Sequence, residues 1–445
     1  MMIKRLSGAL AFALLMNNAY ADDQEHYVDI PAPLPHTFGS VMQSSMESPL
    51  AIFYAAEVAY KDKDYSTALR WYLDGAKKLH VPSVENAKYM IQANEGVADN
   101  RSDVIEFLTY YGTPTGLESG DLFAQLYLAD YFSGHSCVWV DYSESDRSLS
   151  EHCLGLDTKK APVSEKDYTK AYYWYSSAAE QGSTRAKYSL SMMDILGLAG
   201  ARNIKKGMSL LEEVAQDGYA SANYILGEMH NQGFWIAQDA AEANKYFSLA
   251  AESNLPKAQL ALADNYVKRR GIDVDSSVAS ADAAYMLYER VLKNLLASPT
   301  QEAQAHLAIA NIARFQRGKL SPDDSFKHFQ DAIAIAAHEP NVSSVEAASS
   351  LGDMAVEADD MDTALKYYTM AEEMLPSLGH AERKQYASIL QRIANIHARG
   401  TQTLPKNERL YANYMQNFHS MRASETMAPT QPLSLFGEHA FEFSY

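Results

Sequence analysis

Two cysteines and two histidines form the densest group of chemically capable residues in the sequence. Cys137 and Cys153 are the only cysteines, and His135 and His152 lie beside them. Two thiolates and two imidazoles are a donor set for tetrahedral zinc, although adjacent His152 and Cys153 depart from the usual finger spacing. In an exported protein, a disulfide between Cys137 and Cys153 is the simpler expectation. We therefore predict a disulfide, keep zinc as the alternative, and assign no metal or other cofactor.

Catalytic motifs fail on spacing. Segment 116–120 places its serine one position away from that of a nucleophile elbow. Segment 338–342 opens like a zinc-protease helix but carries Val342 where the second histidine must stand. Segment 359–362 is acidic but lacks the glycine and distal glutamate of a calcium loop. We therefore expect no enzyme. A cell-wall hydrolase, the alternative, would need two carboxylates brought together from distant segments.

A repeat with a fixed period positions the rest of the chain. Segments 171–179, 207–215 and 243–251 are similar, and each begins 36 positions after the one before. Other residues keep the same step: Gly182, Gly218 and Asn254; Ala186, Ala222 and Ala258; Leu190, Leu226 and Leu262. A constant period in this range indicates stacked helical hairpins, each burying its apolar face against its neighbours. The glycines and Asn254 suit the left-handed residue that ends a helix.

One of these units carries the pattern of a known family. It reads Ala222-x-x-x-Leu226-Gly227, then Gly233, then Ala243-x-x-Tyr246-Phe247-x-x-Ala250-Ala251. This pattern resembles the Sel-like repeats, relatives of the tetratricopeptide repeats, and the resemblance is specific over residues 165–292. It implies an all-α fold, a right-handed superhelical solenoid of antiparallel helix hairpins.

The resemblance also implies where a partner binds. In related repeats the first helix of each hairpin lines the concave face, and its non-consensus positions make the contacts. Carried onto this sequence, the implied binding residues are Arg185, Tyr188, Met192, Ser221, Tyr224, Glu228, Asn231, Lys257, Asp264 and Lys268. For any one of them the alternative is a solvated surface position without a ligand. The repeat tyrosines, such as Tyr175 and Tyr246, are expected in the core by helical period rather than on a sugar-binding face.

The N-terminal segment 1–21 has the features of an export signal. Lys4 and Arg5 precede a short apolar run, and Ala19-Tyr20-Ala21 supplies a small-x-small cleavage site. The run is too short to cross a bilayer. We therefore predict a periplasmic protein of bacterial type without a transmembrane segment in the mature chain; secretion to the medium is the alternative.

Composition shifts divide the rest of the chain. After the signal, 22–47 is a polar, proline-containing arm and 48–297 is the Sel-like solenoid, interrupted by a loop insertion at 135–165. Segment 298–422 carries tetratricopeptide-like hairpins, with helix starts at Ser298-Pro299 and Ser321-Pro322. Residues 423–445 form a tail with an aromatic, alternating end, for which docking, disorder or addition to a partner's sheet remain open.

The net charge narrows the class of partner. With 38 Lys and Arg against 56 Asp and Glu, the chain carries −18. That balance argues against nucleic acid or an anionic membrane as the main partner. The resemblance to the Sel-like repeats, together with the export signal, implies a non-catalytic periplasmic scaffold. Its expected partner is an envelope assembly protein or an envelope polysaccharide, for secretion, a motor, a pilus or polysaccharide export. A secreted protein that binds a host or rival-cell protein is the alternative.

Overall fold

The computed structural model describes residues 48–115, 119–133, 167–271, 277–315, 321–335, 337 and 340–423. The predicted signal, the arm 22–47, the insertion with Cys137 and Cys153, and the tail beyond residue 423 lie outside the described residues. The chain divides into two compact units, one of residues 1–90 and 95–100 and the other of residues 91–94 and 101–445.

Helices account for the architecture of both units, and none of the described residues forms a β-strand. In the first unit, α1 (Pro49–Lys61) packs on α2 (Tyr65–Lys77), and α3 (Val81–Gln92) runs to its boundary. The helices of the second unit are α4 (Arg101–Gly112), α5 (Leu122–Ser133), α6 (Tyr168–Glu180), α7 (Thr184–Leu196), α8 (Ile204–Gln216), α9 (Ala220–Gln232), α10 (Ala240–Glu252), α11 (Pro256–Lys268), α12 (Ser277–Leu292), α13 (Pro299–Arg314), α14 (Pro322–Ile335), α15 (Val342–Glu357), α16 (Met361–Met374), α17 (His380–Gln385), α18 (Ser388–Arg399) and α19 (Glu408–Ala423). No helix among the described residues has both the length and the apolar character needed to span a bilayer.

The helices of the central repeats follow the predicted period. Helices α6, α8 and α10 begin at positions 168, 204 and 240, so each starts 36 residues after the one before. Helices α7, α9 and α11 begin at 184, 220 and 256, with the same spacing. Consecutive helices from α4 to α16 pack on each other, and the short turns within the repeats from α6 to α11 make neighbouring helices antiparallel. The prediction of stacked helix hairpins is therefore confirmed.

The turns between repeats use the predicted left-handed residues. Gly182, Gly218 and Asn254 have φ of 91°, 86° and 63°. Each follows the second helix of a repeat and lets the chain reverse within a few residues into the next first helix. The helix starts predicted at Ser298-Pro299 and Ser321-Pro322 are also confirmed, because α13 begins at Pro299 and α14 at Pro322.

Small residues in the first helices make room for aromatic rings of the second. A Cβ atom at Gly227 would lie 2.5 Å from the ring of Phe247, which is fully buried. A Cβ atom at Gly352 would lie 2.5 Å from the ring of Tyr368, in a later hairpin. The glycine of the motif is therefore required by close helix contact, and the same arrangement recurs after the 36-residue period has loosened.

Tyrosines of second helices bond carboxylates of first helices. The hydroxyl groups of Tyr288 and Tyr368 donate to Asp264 and Asp353 at 2.5 Å, and that of Tyr175 donates to Asp130 at 2.6 Å. Because these rings are buried, the tyrosines pack the hairpin and also satisfy a carboxylate inside it. These three tyrosines belong to the core.

The described helices on either side of the insertion form one hairpin. Helix α5 ends at Ser133, α6 begins at Tyr168, and the two pack directly against each other. The backbone N–H of Asp167 donates to the carbonyl of Phe132 at 2.9 Å. Ser133 and Asp167, the described residues on either side of the predicted insertion 135–165, therefore lie at the turn of this hairpin.

Candidate functional site

A cleft of about 620 Å³ lies between α9, α11 and the start of α13. Its volume is within the range of ligand-binding pockets, roughly 300–1,000 Å³. The cleft is lined by Tyr224, Glu228, Asn231, Gln232, Lys257, Leu260, Ala261, Asp264, Asn265, Lys268, Arg270, Ser298, Thr300, Gln301 and Gln304. Most of these side chains are polar, so the cleft offers hydrogen bonds and charges rather than an apolar pocket.

The structure brings part of the predicted binding set together here. The predicted residues that line the cleft are Tyr224, Glu228, Asn231, Lys257, Asp264 and Lys268. Ser221 also lies on α9, half-buried, but it does not line the cleft. The cleft is thus formed mainly by the first helices of two consecutive hairpins.

Three predicted residues lie in the interior instead. Arg185 is 7% exposed, Tyr188 is 3% exposed and Met192 is fully buried. Arg185 forms an ion pair with the buried Asp130 of α5, and the ring of Tyr188 lies 5.4 Å from that of Tyr219. The assignment of these three to an accessible face is corrected, because neighbouring side chains cover this side of α7.

Glu228 is the electrostatically unusual group of the cleft. Burial raises the pKa of its carboxyl group, and the negative charge of Asp264 acts in the same direction. Hydrogen bonds to the side chains of Gln232 and Tyr224, and the charge of Arg270, oppose that increase in pKa. Burial outweighs them, so Glu228 holds its proton to higher pH than an exposed glutamate.

The second carboxylate of the cleft is engaged by its own hairpin. Asp264 accepts the hydroxyl hydrogen of Tyr288 and lies 3.9 Å from the ammonium group of Lys268. The Lys268 side chain is 61% exposed, so its charge remains available at the rim. The cleft therefore presents a hydrogen-bonded carboxylate beside an exposed ammonium group.

A network of side-chain amides holds the helices next to Glu228, Asp264 and Lys268 in place. The Asn265 side-chain amide donates to Asn231 Oδ1 at 3.3 Å and to Asn244 Oδ1 at 2.7 Å. The Arg270 guanidinium donates to the carbonyl of Asn231 at 2.9 Å, and Asn244 donates back to the carbonyl of Arg270 at 2.8 Å. These bonds tie α9, α10 and the end of α11 together and hold Arg270 at the edge of the cleft.

Sequence reasoning missed the α13 wall of the cleft. A 36-residue step from α11 would begin the next first helix at position 292, whereas α13 begins at Pro299. Gln301 lies there because it closes a capping box with Ser298 at the start of α13. The sequence contains the helix-start signal at Ser298-Pro299. Only the folded hairpins show that the helix that begins there faces α11.

A model of the Sel1 repeat matches residues 53–78, 159–183, 220–255, 256–290 and 347–374. The chain therefore contains five segments that match the Sel1 repeat. The matched segments 220–255 and 256–290 contain α9 with α10 and α11 with most of α12, so the α9 and α11 walls of the cleft belong to two adjacent Sel1 repeats. The match at 347–374 falls in α15 and α16, within the segment predicted to be tetratricopeptide-like.

Curated relatives match over limited lengths. Human protein sel-1 homolog 2 is 25% identical over 138 residues, which are 31% of this chain and 19% of the relative. The Sel1-repeat-containing protein YjcO of Escherichia coli K12 is 31% identical over 140 residues, 29% of this chain and 61% of the relative. The chain thus spans about a fifth of the length of its human relative.

A solved structure supports the fold. The crystal structure of c5321, described as a protective antigen of uropathogenic Escherichia coli with an SLR fold, has a TM-score of 0.53 and 17% identity. The match covers 85% of this chain and 71% of that one. The described part of the chain is therefore an all-α solenoid. Proteins with Sel1 repeats typically serve as scaffolds for protein–protein interaction.

Proposed function

We propose that this Sel1-repeat chain is a non-catalytic periplasmic adaptor whose cleft binds an extended peptide segment of a protein that assembles an envelope machine. The observation that carries the proposal is the cleft itself, which is built from the first helices of two adjacent repeats and closed by the start of α13. Its amides donate and accept hydrogen bonds, as peptide groups require, and its charges of both signs can select side chains along the segment.

The chemistry of the cleft favours binding over hydrolysis. A glycosidase uses one carboxyl group as acid and a second as base or nucleophile. Glu228 has the raised pKa of a candidate acid. However, Asp264 is engaged by Tyr288 and Lys268 within its own hairpin, which leaves it poorly placed to attack a substrate or activate water.

The aromatic content of the cleft favours a peptide over a polysaccharide. Sugars bind through stacking on exposed aromatic faces, and Tyr224 is the one aromatic residue among the side chains that line the described cleft. Its ring packs against the buried core and lies 5.9 Å from that of Phe247. The cleft therefore suits a peptide better than an envelope polysaccharide.

The proposed location follows from the N-terminal sequence. Lys4, Arg5 and the Ala19-Tyr20-Ala21 site have the order of a cleavable export signal. Release to the medium, with a host or rival-cell protein as partner, is the second candidate. A protective antigen among the structural neighbours is consistent with that location but shows the fold alone.

Site-specific photo-crosslinking tests the proposal. A photoreactive amino acid is placed at Lys268 or Thr300, both exposed at the cleft, and as a control at Met286, which is 68% exposed on α12. Native cells are irradiated, and the envelope and the spent medium are analysed separately. Crosslinks to one envelope protein from positions 268 and 300, without that product from 286, support the proposal. Polysaccharide adducts, or crosslinks only in the medium, contradict it.

A charge-reversal pair measures the contribution of the cleft. Lys268→Glu changes the rim next to Asp264, and Lys245→Glu makes the same change on α10 outside the cleft. Both lysines are exposed and pair with a neighbouring acid on their own helix, so both variants should fold as the parent does. We expect Lys268→Glu alone to weaken the crosslinked complex. Equal binding by both variants would place the partner elsewhere.

A further inference from the structure

Helices α13 and α14 bring two histidines and an aspartate together outside the cleft. His306 Nδ1 lies 2.8 Å from His328 Nδ1 and 3.9 Å from Asp331 Oδ2. One ligand atom from each of these three side chains lies within 4.8 Å of the others. Among the described residues, this is the one group of three or more such side chains with that geometry.

The hairpin holds these side chains in place. His328 and Asp331 are three residues apart on α14, so they project from the same face of that helix. Their neighbours Phe329 and Ala332 are fully buried, and Leu307, beside His306, joins the same core cluster. The core contact between α13 and α14 therefore sets the distance between the histidines.

The separations approach those of a tetrahedral metal site. Zn²⁺–N bonds of about 2.0–2.1 Å at tetrahedral angles place two ligand atoms about 3.3–3.4 Å apart. The observed 2.8 Å and 3.9 Å lie on either side of that value. Small rotations of the side chains, without movement of the helices, would bring all three ligand atoms to bonding distance.

Acidic and basic side chains act on both histidines. Negative charges at Asp331 and Glu289 act on both histidines, and Asp324 also acts on His328; the positive charge of Lys327 opposes them. Burial lowers the pKa of both imidazoles. Neutral imidazole is the form that binds a metal.

We propose that His306, His328 and Asp331 bind a divalent transition-metal ion of the zinc type. The Asp331 side chain is 39% exposed and that of His306 is 15% exposed, so the site opens to solvent on one side. Three protein ligands leave a coordination position for water or for a group from a partner. Two imidazoles and one carboxylate suit Zn²⁺ and similar ions better than Mg²⁺ or Ca²⁺, which prefer oxygen ligands.

A hydrogen bond between two neutral imidazoles is the alternative explanation of the short contact, since one ring can donate N–H to the other. Zinc bound to the chain could also be held by a second set of residues, namely His135, Cys137, His152 and Cys153. The experiment must therefore separate the two sets of residues.

Zinc titration of the full mature chain, purified without a histidine tag, tests the proposal. Free Zn²⁺ is set by a competing chelator, and the melting temperature is followed in parallel. Co²⁺ replaces Zn²⁺ in a second titration, since its visible absorption reports tetrahedral coordination. We expect one equivalent of zinc, a raised melting temperature, and affinity that falls about tenfold or more in His306→Ala and His328→Ala.

Two controls make the result decisive. His380→Ala removes an exposed histidine outside the cluster, and a variant with serine at 137 and 153 removes the cysteines. Asp331→Asn conserves shape and covers the case in which a histidine variant fails to fold. Zinc binding that survives the α13 and α14 variants but disappears with the cysteines would overturn the proposal. A folded parent chain that binds no zinc at millimolar concentration would overturn it equally.

Discussion

Removal of Arg185 should destabilise the Sel1-repeat chain more than removal of any exposed lysine. Arg185 on α7 pairs with Asp130 on α5, and the two residues are 7% and 0% exposed. The Tyr175 hydroxyl donates to the same carboxylate at 2.6 Å. In Arg185→Met, Asp130 would remain buried without its cation. Breaking a buried pair in this way costs about 3–5 kcal/mol.

Urea unfolding followed by circular dichroism gives the change in free energy of unfolding from the midpoint and slope. Lys187→Met is a matched control on the same helix, because Lys187 pairs with Glu213 where both side chains are partly exposed. Surface pairs of this kind contribute about 0–1 kcal/mol. The contrast between the two variants isolates the effect of burial.

A double variant tests the mechanism. Asp130→Asn combined with Arg185→Met removes both charges and keeps an acceptor for the Tyr175 hydroxyl. The double variant should be more stable than Arg185→Met, because no uncompensated charge remains. The reasoning is refuted if Arg185→Met is no less stable than Lys187→Met. It is also refuted if the double variant is as unstable as the single one.

Three further predictions concern the repeats and the cleft. Gly227→Ala should destabilise the chain by about 1–3 kcal/mol in chemical unfolding, since its Cβ would lie 2.5 Å from the Phe247 ring. Partial recovery of that stability when Phe247→Leu is added would identify this contact as the cause. Ala222→Glu should destabilise by several kcal/mol because it places an unpaired charge at a fully buried position. Lys268→Ala should change the melting temperature little, because that side chain is exposed. A similar loss of stability in both variants would show that the two helix faces are misassigned. Burial raises the pKa of Glu228, so its stabilising contribution is present below the ordinary glutamate pKa and is lost as pH rises through the raised value. The stability of Glu228→Gln relative to the parent chain should therefore increase from pH 4 to pH 8 in thermal melts. A difference in stability that does not change with pH would contradict the raised pKa.

The cleft could be located only in part from the sequence. The repeat resemblance identifies the first helices, and six of the residues that it implies line the cleft. Arg270 escaped prediction because it lies beyond the end of α11 at Lys268. The α13 wall escaped prediction because α13 begins at Pro299 and not at position 292, where the 36-residue period would place it. Arg185 and Lys268 both look like surface cations in sequence, yet one is buried and the other is 61% exposed.

What the sequence determined by itself is the local geometry of the repeat. Period, helix starts and left-handed turn residues such as Gly182 and Asn254 depend on interactions between residues close in the chain. Periodic small residues such as Gly227 likewise indicate close helix contacts, although only the folded structure shows which ring each of them contacts.

Only the tertiary structure decided which polar side chains meet and which are accessible. His306 and His328 are 22 residues apart, and their contact depends on how α13 and α14 pack side by side. Arg185 is buried because α5 supplies Asp130 across a long insertion. Helix periodicity fixes the face from which a side chain projects, but the neighbouring helix determines whether that face meets solvent, a counter-charge or another ligand atom.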